Sequence, residues 1–186
     1  MKNTILFAML AALAGTAAAQ SQGAYVGGNV GRAEQKVSID GFGSEKDHDT
    51  GFKLYGGYNF TQNFGLEAGY ADLGKLERSA LGETVSLEPT SVYFAATGTL
   101  PLNDGFSLFG KAGAARTEVK GTISAAGFRE SGKENRTSGY VAVGAAYAIN
   151  PNFSVVAEYE YFGKIYKEDG ADLKANMVSV GVRYKF

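Results

Sequence analysis

Eight stretches of the chain alternate apolar with small or polar residues at a period of two, the pattern of β-strands whose two faces meet different surroundings. They cover residues 24–34, 52–60, 64–71, 91–100, 106–115, 139–149, 153–162 and 178–186. In the last, Val178, Val180, Val182, Tyr184 and Phe186 fall on one face, with Ser179, Gly181, Arg183 and Lys185 on the other. The connections alternate too. Short turns follow the second, fourth and sixth stretches, at residues 61–63, 101–105 and 150–152, whereas longer polar links are expected at about 34–50, 72–90, 116–138 and 163–176. Short turns at one end and long links at the other are the layout of a membrane barrel of antiparallel strands. The expected fold is all-β: an eight-stranded antiparallel up-and-down transmembrane β-barrel.

Composition decides which face is inside. One face collects Lys53, Glu67, Lys111, Glu158, Glu160 and Arg183 and nearly all the glycines, of which the chain has 26. An eight-stranded barrel has an interior barely wide enough for its side chains, so small residues mark the inner wall. The other, apolar face then points outward. Such a band would aggregate in water and is required in lipid, where strand pairing in a closed barrel also satisfies every backbone group. Phe60, Phe64, Phe106, Phe153 and Phe186 sit on that face beside the short turns, as an interfacial aromatic girdle would.

The N-terminus carries Lys2, an apolar run over residues 5–14 and three alanines at 17–19, which reads as a signal peptide over residues 1–19, leaving a barrel domain over 20–186. The apolar run is shorter than the ~20 residues of a spanning helix. A net charge of −1 speaks against nucleic acid as a partner, and the absence of cysteine means an exported chain that holds together without disulfides.

The stretches YVGGNVG, YGGYNFTQNFGLEAGYADLG, AYAINPNFSVVAEYEY and the terminal GVRYKF together resemble the OmpA-type family of eight-stranded outer-membrane barrels, over essentially the whole chain after residue 19. The resemblance implies insertion in the cell outer membrane in contact with its lipids, and an assembly machinery that reads Tyr184 and Phe186 in the final strand. It also implies an acid–base network inside the barrel, to which Glu67 corresponds, although the counterparts Thr97, Ala146 and Val156 are not ionisable. The two-domain members carry a periplasmic peptidoglycan-binding domain. This sequence ends at Phe186, so wall anchoring is not expected.

Little else points to chemistry. GFSLFGKA, from Gly105, lacks the final Ser or Thr of a phosphate loop and lies in an alternating strand. His48, flanked by Asp47 and Asp49 with Ser44 and Glu45 nearby, is the one candidate for catalysis or cation binding, and no serine nucleophile motif accompanies it. No cofactor or metal is expected. The expected function is a monomeric, non-enzymatic outer-membrane barrel with a structural or adhesin-like role, four surface loops binding an unknown extracellular ligand. A narrow pore is the alternative and a lipid-modifying enzyme the third reading. Counted from the short-turn end, the inner charges pair by level: Glu67 with Arg183, Lys111 with Glu158, and Lys53 with Glu160.

Overall fold

The computed structural model describes residues 22–39, 43–80, 83–103, 105–125, 128–168 and 171–186. The segment read as a signal peptide therefore lies outside the described residues. The elements are β1 (Gly23–Ile39), β2 (Gly43–Asn59), β3 (Phe64–Asp72), β4 (Leu76–Ala80), β5 (Glu83–Pro101), β6 (Phe106–Ala125), β7 (Phe128–Ala148), β8 (Phe153–Glu168) and β9 (Ala171–Lys185). They form one antiparallel sheet in the order β3-β2-β1-β9-β8-β7-β6-β5-β4, and a further pairing of β3 with β5 closes it. The terminal strand closes on the first: Tyr25 faces Lys185 and the Phe186 amide donates to the Ala24 carbonyl at 3.0 Å.

Nine elements make eight barrel strands because β3 and β4 are two halves of one. Asp72 faces Thr90 and Leu76 faces Leu87, so the three residues 73–75 lie opposite the two residues 88–89, a bulge. Its cause is local. Pro89 has no amide to give the ladder, but its carbonyl accepts from Leu73 N at 3.1 Å. Gly74 takes φ +79°, and Asp49 on β2 accepts from Lys75 N at 2.6 Å.

The three short turns share one device. A side-chain oxygen accepts two backbone amides, two and three residues ahead: Thr61 from Asn63 and Phe64, Asn103 from Gly105 and Phe106, Asn150 from Asn152 and Phe153. The links at the other end differ from the sequence expectation, since most of each is strand. β1 and β2 continue pairing up to Ile39 and Gly43, and β6 and β7 up to Ala125 and Phe128. Polar residues hid this, because a strand above the membrane has water outside it and no reason to keep an apolar face.

β5, β6 and β7 run for 19, 20 and 21 residues. At ~3.3 Å per residue and ~40° of tilt, such a strand rises about 50 Å, twice the ~25 Å of a lipid-facing band. Among the described side chains, the large exposed apolar ones end at Val30, Phe52, Tyr70, Val92, Tyr159 and Val178, and Arg32, Thr50 and Arg116 stand exposed above them. The described glycines are shared between the faces: Gly28, Gly56, Gly98 and Gly110 alternate in phase with the lipid-facing residues, a correction to the expectation that nearly all lie inside.

Candidate functional site: a stoppered lumen

Alternation fixes where the charges go. Lys53 on β2, Glu67 on β3, Lys111 on β6, Glu158 and Glu160 on β8 and Arg183 on β9 share the phase of the inward residues of their strands, and the first five are buried. Lys111 Nζ lies 2.5 Å from Glu67 Oε1 and 2.6 Å from Glu158 Oε1. Lys53 Nζ lies 2.7 Å from Glu158 Oε2 and 2.8 Å from Glu160 Oε1. Arg183 is held more loosely, with its Nη2 4.0 Å from Glu67 Oε2 and its side chain 17% exposed. The result is one continuous chain of alternating sign, Arg183, Glu67, Lys111, Glu158, Lys53 and Glu160. Counting by level gives three of these contacts. The cross-links of Lys111 to Glu67 and of Lys53 to Glu158 come from strand stagger, which sequence does not display.

Phenols complete the network, and the sequence reading missed them. Tyr25 and Tyr93 donate to Glu67 at 3.0 and 2.6 Å, and Tyr140 donates to Glu160 at 2.6 Å. The Tyr55 ring lies under both ammonium groups, 4.9 Å from Lys53 Nζ and 5.1 Å from Lys111 Nζ. A signal existed: all four tyrosines occupy the same phase of their strands as the inner charges.

Room for these rings is made by glycine directly across the ladder. Tyr55 faces Gly27, Tyr25 faces Gly57, Tyr93 faces Gly69 and Phe109 faces Gly144. At each of these glycines a Cβ would collide with the facing ring. Each ring therefore lies flat over a bare backbone and fills the bore.

Buried apolar clusters flank the charges along the bore. Phe109, Ala146 and Val156 form one buried cluster nearer the short turns, so two of the counterparts implied by resemblance serve as packing. Towards the long hairpins, Leu73, Val119, Phe162 and Met177 pack with Tyr140 in the other. Thr97 is buried on the inward face beside Lys111 in the ladder.

Of the remaining candidates, His48 and Asp49 have described side chains, and those of Ser44, Glu45 and Asp47 lie outside the described ones. His48 is on the outward face of β2, 3.8 Å from Glu34, and Asp49 spends its carboxylate on the β3–β4 bulge. Ser44, Glu45 and Asp47 stand opposite Ser38, Val37 and Gln35 in the ladder. Among the described residues there is no group of three or more His, Asp or Glu side chains placed to hold a metal. The glycine-rich stretch from Gly105 runs into β6, not into a helix.

A closed sheet, an outward apolar band, aromatics at the short-turn end and a filled bore define a transmembrane β-barrel. Residues 5–186 match the family model described as outer membrane protein beta-barrel domain, and the chain belongs to that family. It is 30% identical to an outer membrane protein P5 of Haemophilus influenzae, over all of this chain and 61% of the relative. It is 28% identical to an outer membrane protein A of Yersinia pseudotuberculosis, over 87% of this chain and 48% of the relative. The chain thus spans only about half to three fifths of these relatives. Among solved structures it is similar to Ail, the attachment invasion locus protein of Yersinia pestis, in complex with the heparin analogue sucrose octasulfate, at 25% identity and a TM-score of 0.56, covering 87% of this chain and 99% of that one. Neisserial surface protein A, at 21% identity and a TM-score of 0.62 with 88% and 97% coverage, shares the fold. The protein is an outer-membrane β-barrel of the OmpA type, located in the cell outer membrane.

Proposed function

We propose that the protein is a sealed, non-enzymatic barrel with a structural and surface-binding role, its bore closed and its four long hairpins offered to an extracellular partner. The observation that carries this reading is the stoppered lumen. Five buried charges and the partly exposed Arg183 neutralise one another beside two buried apolar clusters, which supports a rigid plug over a conduit. Strands that rise well beyond the apolar band support display of the hairpins as the task. The relative Ail is named for attachment and was solved with a heparin analogue, which supports the same class of role. The barrel acts as a monomer in this reading, is delivered by the signal peptide over residues 1–19, and is inserted by a machinery that reads Tyr184 and Phe186.

The test has two arms. Purified protein in planar bilayers should give no steady conductance of porin size, and exchange of single hairpins for short turns should remove binding to a target surface without loss of the folded barrel. Stable porin-sized channels in the unmodified protein would replace this reading with the pore. Binding that survives exchange of all four hairpins would remove the adhesive role.

A further inference from the structure

The seam between β7 and β8 opens while both strands continue. Their ladder runs from Ala148 and Ser154 up to Val141 and Tyr161, and among the described residues no pair joins them above that point. Yet β7 runs on to Phe128, paired with β6, and β8 runs on to Glu168, paired with β9. Closure removes the edges of a sheet, so a parting between two extended neighbours needs a cause.

The cause is local to β8. Directly after Tyr161, Gly163 takes φ +74°, a conformation that residues with a Cβ rarely adopt, and the register with β9 shifts between Tyr161 and Lys164. At the base of the seam Ser138 Oγ donates to the Phe162 carbonyl at 2.5 Å, in place of a backbone amide. The corresponding parting on the other side of the barrel is bridged from above. Where the β2–β3 ladder ends at Phe52 and Asp72, Asp49 accepts from Lys75 N at 2.6 Å and Gln35 donates to the Leu73 carbonyl at 3.1 Å.

The open strand carries a defined set of outward backbone groups. Ala148 N donates to Gly105 O on the β6 side, and Ile149 N donates to Phe153 O on the β8 side. Alternation then turns the amide and carbonyl of Ser131, Lys133, Asn135 and Thr137 to the β8 side, where the ladder has ended. Residues 131–135 are exposed whichever face they lie on, so no layer covers either face of this stretch. Val141 is the last large exposed apolar side chain on β7 among the described ones, which puts the edge in water above the lipid band.

Such an edge is a template for one more strand. A second copy does not fit it, because in one membrane two β7 strands, each tilted by ~40°, would cross at about 80° and not pair. We infer that the β7 edge over residues 131–137 is a docking site for an extended peptide segment of an extracellular protein, added as an antiparallel strand. The neighbouring side chains state its chemistry. Lys133 on the outward face and Arg136 on the inward face each require an acid opposite, and Glu134 requires a base. Along an antiparallel strand the order is acid, β-former, base, acid. The inference rests on the surface-binding reading and narrows it to one edge of the β6–β7 hairpin.

The test uses the complete barrel refolded in phosphatidylcholine nanodiscs and a short fluorescein-labelled threonine peptide with Glu-Thr-Lys-Asp at its centre. In the free protein the amides of Lys133, Asn135 and Thr137 should exchange about tenfold or more faster than those of Glu134 and Arg136, and the peptide should remove that difference. Asn135→Pro deletes an edge amide and no bond to β6, so it should weaken binding, read by anisotropy, by about tenfold or more, and Asn135→Ala by less than about threefold. Glu134→Lys combined with Arg136→Glu should move the preference to a peptide with Lys-Thr-Glu-Asp at its centre. Should Asn135→Pro fail to fold, as judged by gel mobility before and after boiling, the charge exchange and the amide pattern of the unmodified protein decide. Equal binding by Asn135→Pro, even exchange along β7 in the free protein, or binding indifferent to the charge exchange would overturn the docking site. Failure of the peptide to bind, while exchange of hairpins still removes binding to a target surface, would overturn the edge and leave the surface-binding reading in place.

Discussion

Lys111 is the residue on which the inner network depends most, since it joins Glu67 and Glu158 and thereby ties β3 and β8 to β6 across the bore. At 2.6 Å and an effective dielectric constant of ~20, one such contact has a gross Coulomb energy of about 6 kcal/mol, and an ammonium with two of them loses a hydration energy of several kcal/mol on burial. What the pair adds over an apolar filling is small. Removing one partner is different, because it leaves a carboxylate uncompensated where side chains of both ions are fully buried. Lys111→Met should therefore destabilise the barrel by about 3–5 kcal/mol. Glu158→Gln should cost a similar amount, as it leaves Lys111 with Glu67 and Lys53 with Glu160 but strips one acid from between two ammonium groups. The double variant keeps two bases and two acids and should recover part of the loss, with a coupling of about 1–3 kcal/mol. The chain has no tryptophan, so unfolding in denaturant is best followed by gel mobility of unboiled samples or by circular dichroism. Strict additivity of the two single changes would refute a shared network, whatever the size of each.

Arg183→Gln should cost clearly less than Lys111→Met in the same assay, since its contact to Glu67 is 4.0 Å and partly open to water; an equal loss would mean that the chain is tightest at the wrong end. Gly69→Val should destabilise by about 1–3 kcal/mol, because its Cβ would fall 2.6 Å from the Tyr93 ring and push that phenol off Glu67, while Gly98→Ala, where nothing lies within 4 Å, should be near neutral. Phe162→Ala should cost about 2–5 kcal/mol and admit a small ion current through the hairpin-side layer, measured in planar bilayers; a current in Lys111→Met but none in Phe162→Ala would place the seal in the charges alone. Phe186→Ala should lower the yield of outer-membrane barrel in cells more than loss of any single hairpin residue, because Phe186 is both an exposed interfacial aromatic and the end of the strand that pairs with β1.

Alternation by itself determined the strands within the membrane, their inner and outer faces and the positions of the short turns, because lipid on one side and a crowded bore on the other impose opposite demands on successive residues. Val178 to Phe186 shows this over nine residues. The same logic ran out above the apolar band. There β6 and β7 continue with Arg116, Glu118 and Lys120 on one strand and Lys133 and Thr137 on the other, and pairing, not hydropathy, keeps them extended. Identity of the inner ions was legible from their phase; their partners were not. Which acid meets which base depends on the stagger of strands far apart in sequence, so Lys53 reaches Glu158 over an interval of 105 residues. The glycine opposite each inner ring has the same origin. It is a coincidence of register between strands, and the register itself can shift within one strand, as β8 does between Tyr161 and Lys164 where Gly163 takes a positive φ.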